Sequence, residues 1–86
     1  MRGYIVLISQ EVTGKIGESI YLSDFIEDKV NRVISLKETD SMDRALLLNE
    51  SEKDILENML AYYNREGDVY FIEVDRKTEI VIDECI

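Results

Sequence analysis

After Met1-Arg2-Gly3 the chain opens on five consecutive apolar residues, Tyr4-Ile5-Val6-Leu7-Ile8. Aromatic and β-branched side chains in an unbroken run suit a central strand covered on both faces. The pattern weakens through Gln10 and Val12, and Thr13-Gly14-Lys15 supplies the glycine of a two-residue hairpin turn. From Glu18 to Phe25, Ile20 and Leu22 alternate with Ser19, Tyr21 and Ser23, the period of a second strand in a meander. A rival fits the same residues. Leu22, Phe25 or Ile26, Val30 and Val33 also lie at helical spacing, so a helix could begin near Ser23. Arg32 to Leu36 is a candidate third strand.

Glu38 to Asp43 is polar and predicts a loop, with a helical turn reaching Arg44; Ala45 to Leu48 is apolar and fits either a strand or that turn. The best-signalled element follows, a helix from Glu50 to Asn64. Asn49 is a strong N-cap, and Glu52 stands three residues on, as a capping box requires. Glu50, Glu52 and Asp54 set negative charge against the positive end of the helix dipole. Ile55, Leu56, Met59, Leu60 and Tyr63 form an apolar stripe, and Gly67 is the residue expected to take a positive φ beyond the end. Asp68 to Val74 reads as a strand, with Tyr70, Ile72 and Val74 on one face and Val69 and Phe71 on the other. Asp75 to Thr78 then turns the chain, and Glu79 to Ile82 is the expected hairpin partner. The fold class implied is α+β: one small domain over residues 1–86, an antiparallel sheet (a meander plus a C-terminal hairpin) packed against one main helix.

Composition changes this picture mainly through charge. The chain has 86 residues, 45% hydrophobic and 34% charged, which favours a folded domain over a disordered tail. Ten Lys and Arg stand against nineteen Asp and Glu with no His, a net charge of −9. Such a body repels phosphate backbones and anionic headgroups, so direct binding to nucleic acid or membrane is not expected. The first apolar run is too short for a signal-peptide core or a membrane span, and the lone Cys85 offers no internal disulfide, so a cytoplasmic protein is expected.

Candidate chemistry is sparse. Without His the usual base near neutral pH is missing, and no Ser sits in a G-x-S-x-G elbow. Cys85 lies beside Asp83 and Glu84, whose charge works against a reactive thiolate. No catalytic residue and no cofactor are expected. A metal site is not expected either: zinc wants Cys and His, no segment has the acidic spacing of an EF-hand, and Asp24, Glu27 and Asp28 fit a solvated face better than a calcium site. Gly14-Lys15-Ile16-Gly17 resembles the G-x-x-G loop of KH domains, yet only Ser9 to Val12 are available for the helix that should precede it. A turn is the better account.

The acidic surface remains. Glu50, Asp54 and Glu57 lie three or four apart on the predicted helix and so share a face. Glu66, Asp68, Glu73, Asp75 and Glu79 follow on the helix end and the last hairpin. Carboxylates so placed can imitate a row of phosphates before a basic groove, so a protein with a basic surface is the expected partner. Surplus charge kept for solubility is the competing account. In that case Tyr21, Tyr62 and Tyr70 become the next binding candidates. A homodimer built on a free strand edge or an apolar patch, with no inhibitory role, is the alternative from another class.

Size, acidity and layout add a resemblance. Tyr21-Leu22-Ser23-Asp24-Phe25, Arg44-Ala45-Leu46, the Asn49-to-Asn64 helix and the Val69-to-Val74 strand together resemble the small acidic accessory proteins of bacteriophages and mobile elements. That set includes anti-CRISPR and anti-restriction proteins and uracil-DNA glycosylase inhibitors. The resemblance is one of character and carries no residue over. It implies an inhibitor of a host nucleic-acid-handling or defence protein.

Overall fold

The computed structural model describes residues 2–75. Strand β1 (Arg2–Ile8) leads through a single helical turn, α1 (Gln10–Thr13), to β2 (Ile20–Asp28) and β3 (Val33–Thr39). A 3₁₀ turn (Met42–Arg44) precedes the main helix α2 (Glu50–Tyr62), and a second one (Glu66–Asp68) precedes β4 (Val69–Asp75). The strands form one antiparallel sheet in the order β3-β2-β1-β4, with α2 on one face. This is the α+β class expected. The anticipated hairpin partner at Glu79–Ile82 lies outside the described residues.

β1 is central and buried on both faces. Val6 and Ile8 join Ile20, Leu22, Ile34, Leu48 and Val69 beneath Leu56 and Leu60 of α2, while Ile5, of opposite parity on the strand, is also buried. β1 pairs with β4 along its whole length but with β2 only at Leu7–Tyr21 and Ile8–Ile20. Toward the Tyr4 end the segment after the first 3₁₀ turn takes the place beside β1 that β2 leaves. Leu46 N–H donates to the Leu22 carbonyl at 2.9 Å, and Tyr4 and Leu48 exchange two backbone bonds of 2.8 Å. Backbone groups that would otherwise be buried unpaired are satisfied this way. Ala45 to Leu48 is therefore neither a full strand nor part of the turn, but a wedge joined at one bridge.

Several sequence expectations are corrected. The two-residue hairpin at Thr13–Lys15 is replaced by α1 and a loop. Ser9 caps the turn, its side chain accepting from Glu11 N–H, and Gly14 closes it at φ 75°. Of the two readings open over residues 22–34, the strand read from Glu18 to Phe25 holds and runs on to Asp28, and the rival helix is not formed there. A β-bulge between Leu22 and Asp24 adds one residue, so Leu22 and Phe25 both face the core three residues apart. That spacing is what imitated a helix. At the end of α2, Asn64 rather than Gly67 is left-handed, at φ 59°. Its N–H donates to Ala61 and that of Arg65 to Leu60, the two bonds of a Schellman motif. Ile55, placed on the buried stripe, is 59% exposed. The burial direction instead runs through Leu56 and Leu60, with Met59 and Tyr63 half-buried beside them.

Candidate functional site

Helix α2 divides the covered face of the sheet into two flanks of different character. Toward β4 it presents carboxylates. The capping box is complete: Asn49 accepts from Glu52 N–H at 2.8 Å, and Glu52 accepts from Asn49 N–H at 2.9 Å. This fixes where the helix starts and so the phase of the exposed Glu50, Asp54 and Glu57. Glu50 and Glu73, distant in sequence, line one shallow recess with Arg2 and Tyr4. Lys53 is the one ammonium of α2. Its charge lies 5.2 Å from the centre of the Tyr4 ring and 5.4 Å from that of Phe71, and 3.2 Å from the Glu57 carboxylate. The hydrogen bond to Glu57 holds the Lys53 pKa above its usual value.

The fold therefore brings Glu50, Asp54, Glu57 and Glu73 to the α2/β4 flank. The remaining acidic candidates sit apart. Glu66 is exposed in the 3₁₀ turn beyond the helix, and Asp75 stands at the end of β4 opposite Arg2. Asp68 is half-buried and pairs with the guanidinium of Arg65, which also donates to the Ile34 carbonyl at 3.1 Å. Its job is to tie the chain after α2 to β3. Glu79 lies outside the described residues.

The other flank, toward β2 and β3, is mixed, with apolar side chains beside both carboxylates and cations. Near the start of α2 a recess of about 290 Å³ is lined by Phe25, Leu46, Ile55 and Leu56 with Asp24 and Glu52 at its rim. Near the end of α2 a larger one, about 570 Å³, lies between Met59, Tyr62 and Tyr63 of the helix and Glu27, Lys29 and Arg32 of the β2–β3 hairpin. Tyr63 O–H donates to Glu27 Oε2 at 2.8 Å. That bond, with burial adding to it, pushes the phenol pKa up to about 12. Asp28 closes the hairpin, accepting from the N–H groups of Val30 and Asn31 at 3.1 Å and from the Asn31 side chain at 2.8 Å. These bonds, chiefly those from Asn31, hold its carboxyl below the usual range.

Lys29 and Arg32 escaped the sequence reading, which weighed acidic residues and glycine loops. The signal available was Asp28-x-x-Asn31, an Asx-type turn that leaves the residues around it facing outward. The GKIG loop runs into β2 rather than into a helix, and Lys15 lies 3.7 Å from the Glu38 carboxylate. Asp24, Glu27 and Asp28 are not drawn together, since Glu27 serves Tyr63 and Asp28 the turn. Among the described residues no helix is long and apolar enough to cross a membrane. No family model, no curated protein and no solved structure matches this chain.

Proposed function

We propose that this protein is a binding module whose α2/β4 flank docks against a basic surface of another protein. The observation that carries the reading is the meeting of Glu73, from β4, with Glu50, at the start of α2, beside Asp54 and Glu57. Carboxylates from two separate elements thus share one exposed flank, with Lys53 as the only helix cation among them. Such a flank steers a basic groove from a distance, and once docked its carboxylates accept charge-assisted bonds from Arg or Lys. Together with the resemblance to phage accessory proteins, this supports an inhibitor that occupies the basic site of a nucleic-acid-handling or defence protein. The role calls for binding alone, without bond-making chemistry.

The test uses wild-type protein and the Asp54→Lys/Glu57→Lys variant as paired baits in a host lysate at low and high salt. A partner held by wild type at low salt, released at high salt and missed by the variant supports the reading. Identical recovery by both baits refutes it. A second reading, self-association, is favoured by the outer edge of β3, which has no neighbouring strand among the described residues. It is also favoured by Tyr70 and Ile72, 57% and 39% exposed on the sheet face away from α2. Sedimentation that reveals a salt-insensitive dimer would support it.

A further inference from the structure

The larger recess between α2 and the β2–β3 hairpin differs from the flank assigned above in that two cations stand beside one carboxylate. In a chain of net charge −9, Lys29 and Arg32 have no ion-pair partner among the described residues. The reason lies in the hairpin itself. The two carboxylates nearest in sequence are already engaged, Glu27 by the Tyr63 hydroxyl and Asp28 by the turn that it closes. Both cations are exposed and line the recess, with Met59 and Tyr63 half-buried across from them. Tyr62 is 74% exposed and stands edge-on to Tyr63, with ring centres 5.0 Å apart and planes at 86°. Two perpendicular rings leave a corner in which a flat apolar group can stack on one ring and meet the other edge-on.

We propose that this recess binds a small aromatic anion, a planar apolar body bearing a carboxylate or a phosphate. The volume of about 570 Å³ falls within the range of about 300–1,000 Å³ typical of ligand pockets. The ring system lies on Met59 in the corner of the two tyrosines, and its anionic group reaches Lys29 and the guanidinium fork of Arg32, whose geometry matches two oxygens of either headgroup. Glu27 also lines the recess and stays ionised; its bond to Tyr63 turns one oxygen to the helix side, and the two cations outnumber it among the lining side chains. The acidic flank lies across a helix about 10 Å wide, further than the screening length of about 8 Å at physiological salt. The site is therefore independent of the partner-docking flank, and either can fail alone.

The measurement is an NMR titration of the full chain with three probes: 2-naphthoate, 2-naphthyl phosphate and protonated 2-naphthylmethylamine. Saturable shifts at the Met59 methyl and the Tyr62 and Tyr63 rings with an anion support the site, and the tighter of the two anions identifies the headgroup. The cation should bind about tenfold more weakly, the discrimination that two exposed charge pairs supply. Lys29→Glu/Arg32→Glu should erase or reverse that preference, and Tyr62→Ala should weaken all three probes. Neither change touches the core, so the spectra of Val6, Leu22 and Leu60 report an intact fold. Absence of saturation at millimolar probe, equal binding of anion and cation, or shifts centred elsewhere would overturn the proposal.

Discussion

Tyr63 shows how one side chain can serve packing and polarity together. Its ring lies against the core, and its hydroxyl reaches across to Glu27 on β2 at 2.8 Å, so the last turn of α2 is fastened to the sheet by a charge-assisted bond. Because the bond needs the phenol proton, ionisation is delayed from the ordinary value of 10.0 to about 12. A pKa raised on folding contributes stability that is complete below the unfolded value and is lost as pH climbs through the folded one. The loss therefore falls between pH 10.0 and about 12. An alkaline titration followed by phenolate absorbance should show one late tyrosine, absent in Tyr63→Phe and shifted back toward the ordinary value in Glu27→Gln. If Glu27→Gln leaves the titration unchanged, the bond is not what delays it. Gly3 is a second residue with a specific task. A Cβ there would meet the Leu48 carbonyl oxygen at 2.7 Å and Leu47 Cδ1 at 3.0 Å, so only glycine lets the wedge approach β1. Gly3→Ala should cost about 1–3 kcal/mol in chemical denaturation, the usual range for overpacking.

At the scale of elements, α2 is held by both ends and by one face. Asn49→Ala removes half of the capping box and should cost about 1 kcal/mol, read as a lower denaturation midpoint at an unchanged slope. On the face, two aliphatic residues of nearly equal size make opposite predictions. Leu60 is 0% exposed, and Leu60→Ala should cost about 2–5 kcal/mol, a large part of the stability of so small a domain. Ile55 is 59% exposed, and Ile55→Ala should cost less than about 0.5 kcal/mol. Equal losses at the two positions would mean that the helix is rotated from the orientation described. The bulge in β2 belongs to this scale as well. By adding a residue between Leu22 and Asp24 it turns Phe25 and Glu27 toward α2, and Glu27 can bond Tyr63 only because of that phase.

For the whole molecule, charge is the governing quantity. Nine surplus negative charges on a small body repel one another, and added salt screens that repulsion. Raising ionic strength from about 0.01 M to 0.15 M shortens the screening length from about 30 Å to about 8 Å. The melting temperature should rise over that interval by about 5 °C, the equivalent of about 1 kcal/mol for a domain of this length. A fall would show that pairs such as Lys53–Glu57 and Arg65–Asp68 outweigh the repulsion. Charge is also unevenly spread: α2 has carboxylates toward β4 and, across the helix, the recess with Lys29 and Arg32. The exposed carboxylates of α2 and β4 and the two cations of the β2–β3 hairpin therefore lie on different sides of a single helix.

Local pattern was enough for the elements whose forces act within a few residues. The β1 run, the Asn49–Glu52 capping box and the Val69–Asp75 strand were legible because burial on two faces, reciprocal caps and alternation each leave a short-range trace. The acidic residues of α2 were legible for the same reason, since helical spacing alone puts Glu50, Asp54 and Glu57 near one another. Their meeting with Glu73 was not, because it depends on β4 lying beside β1 under the start of the helix. Over residues 22–34 the sequence left strand and helix both open, because a bulge shifts the period from two to three and pairing with β3 decides between them. The left-handed residue ending α2 also followed the packing, since Asn64 could take that conformation before the chain reached Gly67. The recess of Lys29, Arg32 and Tyr62 is the clearest case of tertiary control. Its residues come from a turn and a helix some thirty positions apart in sequence. Among the described residues its cations have no ion-pair partner, while Glu27 bonds a tyrosine across the core and Asp28 bonds its own turn.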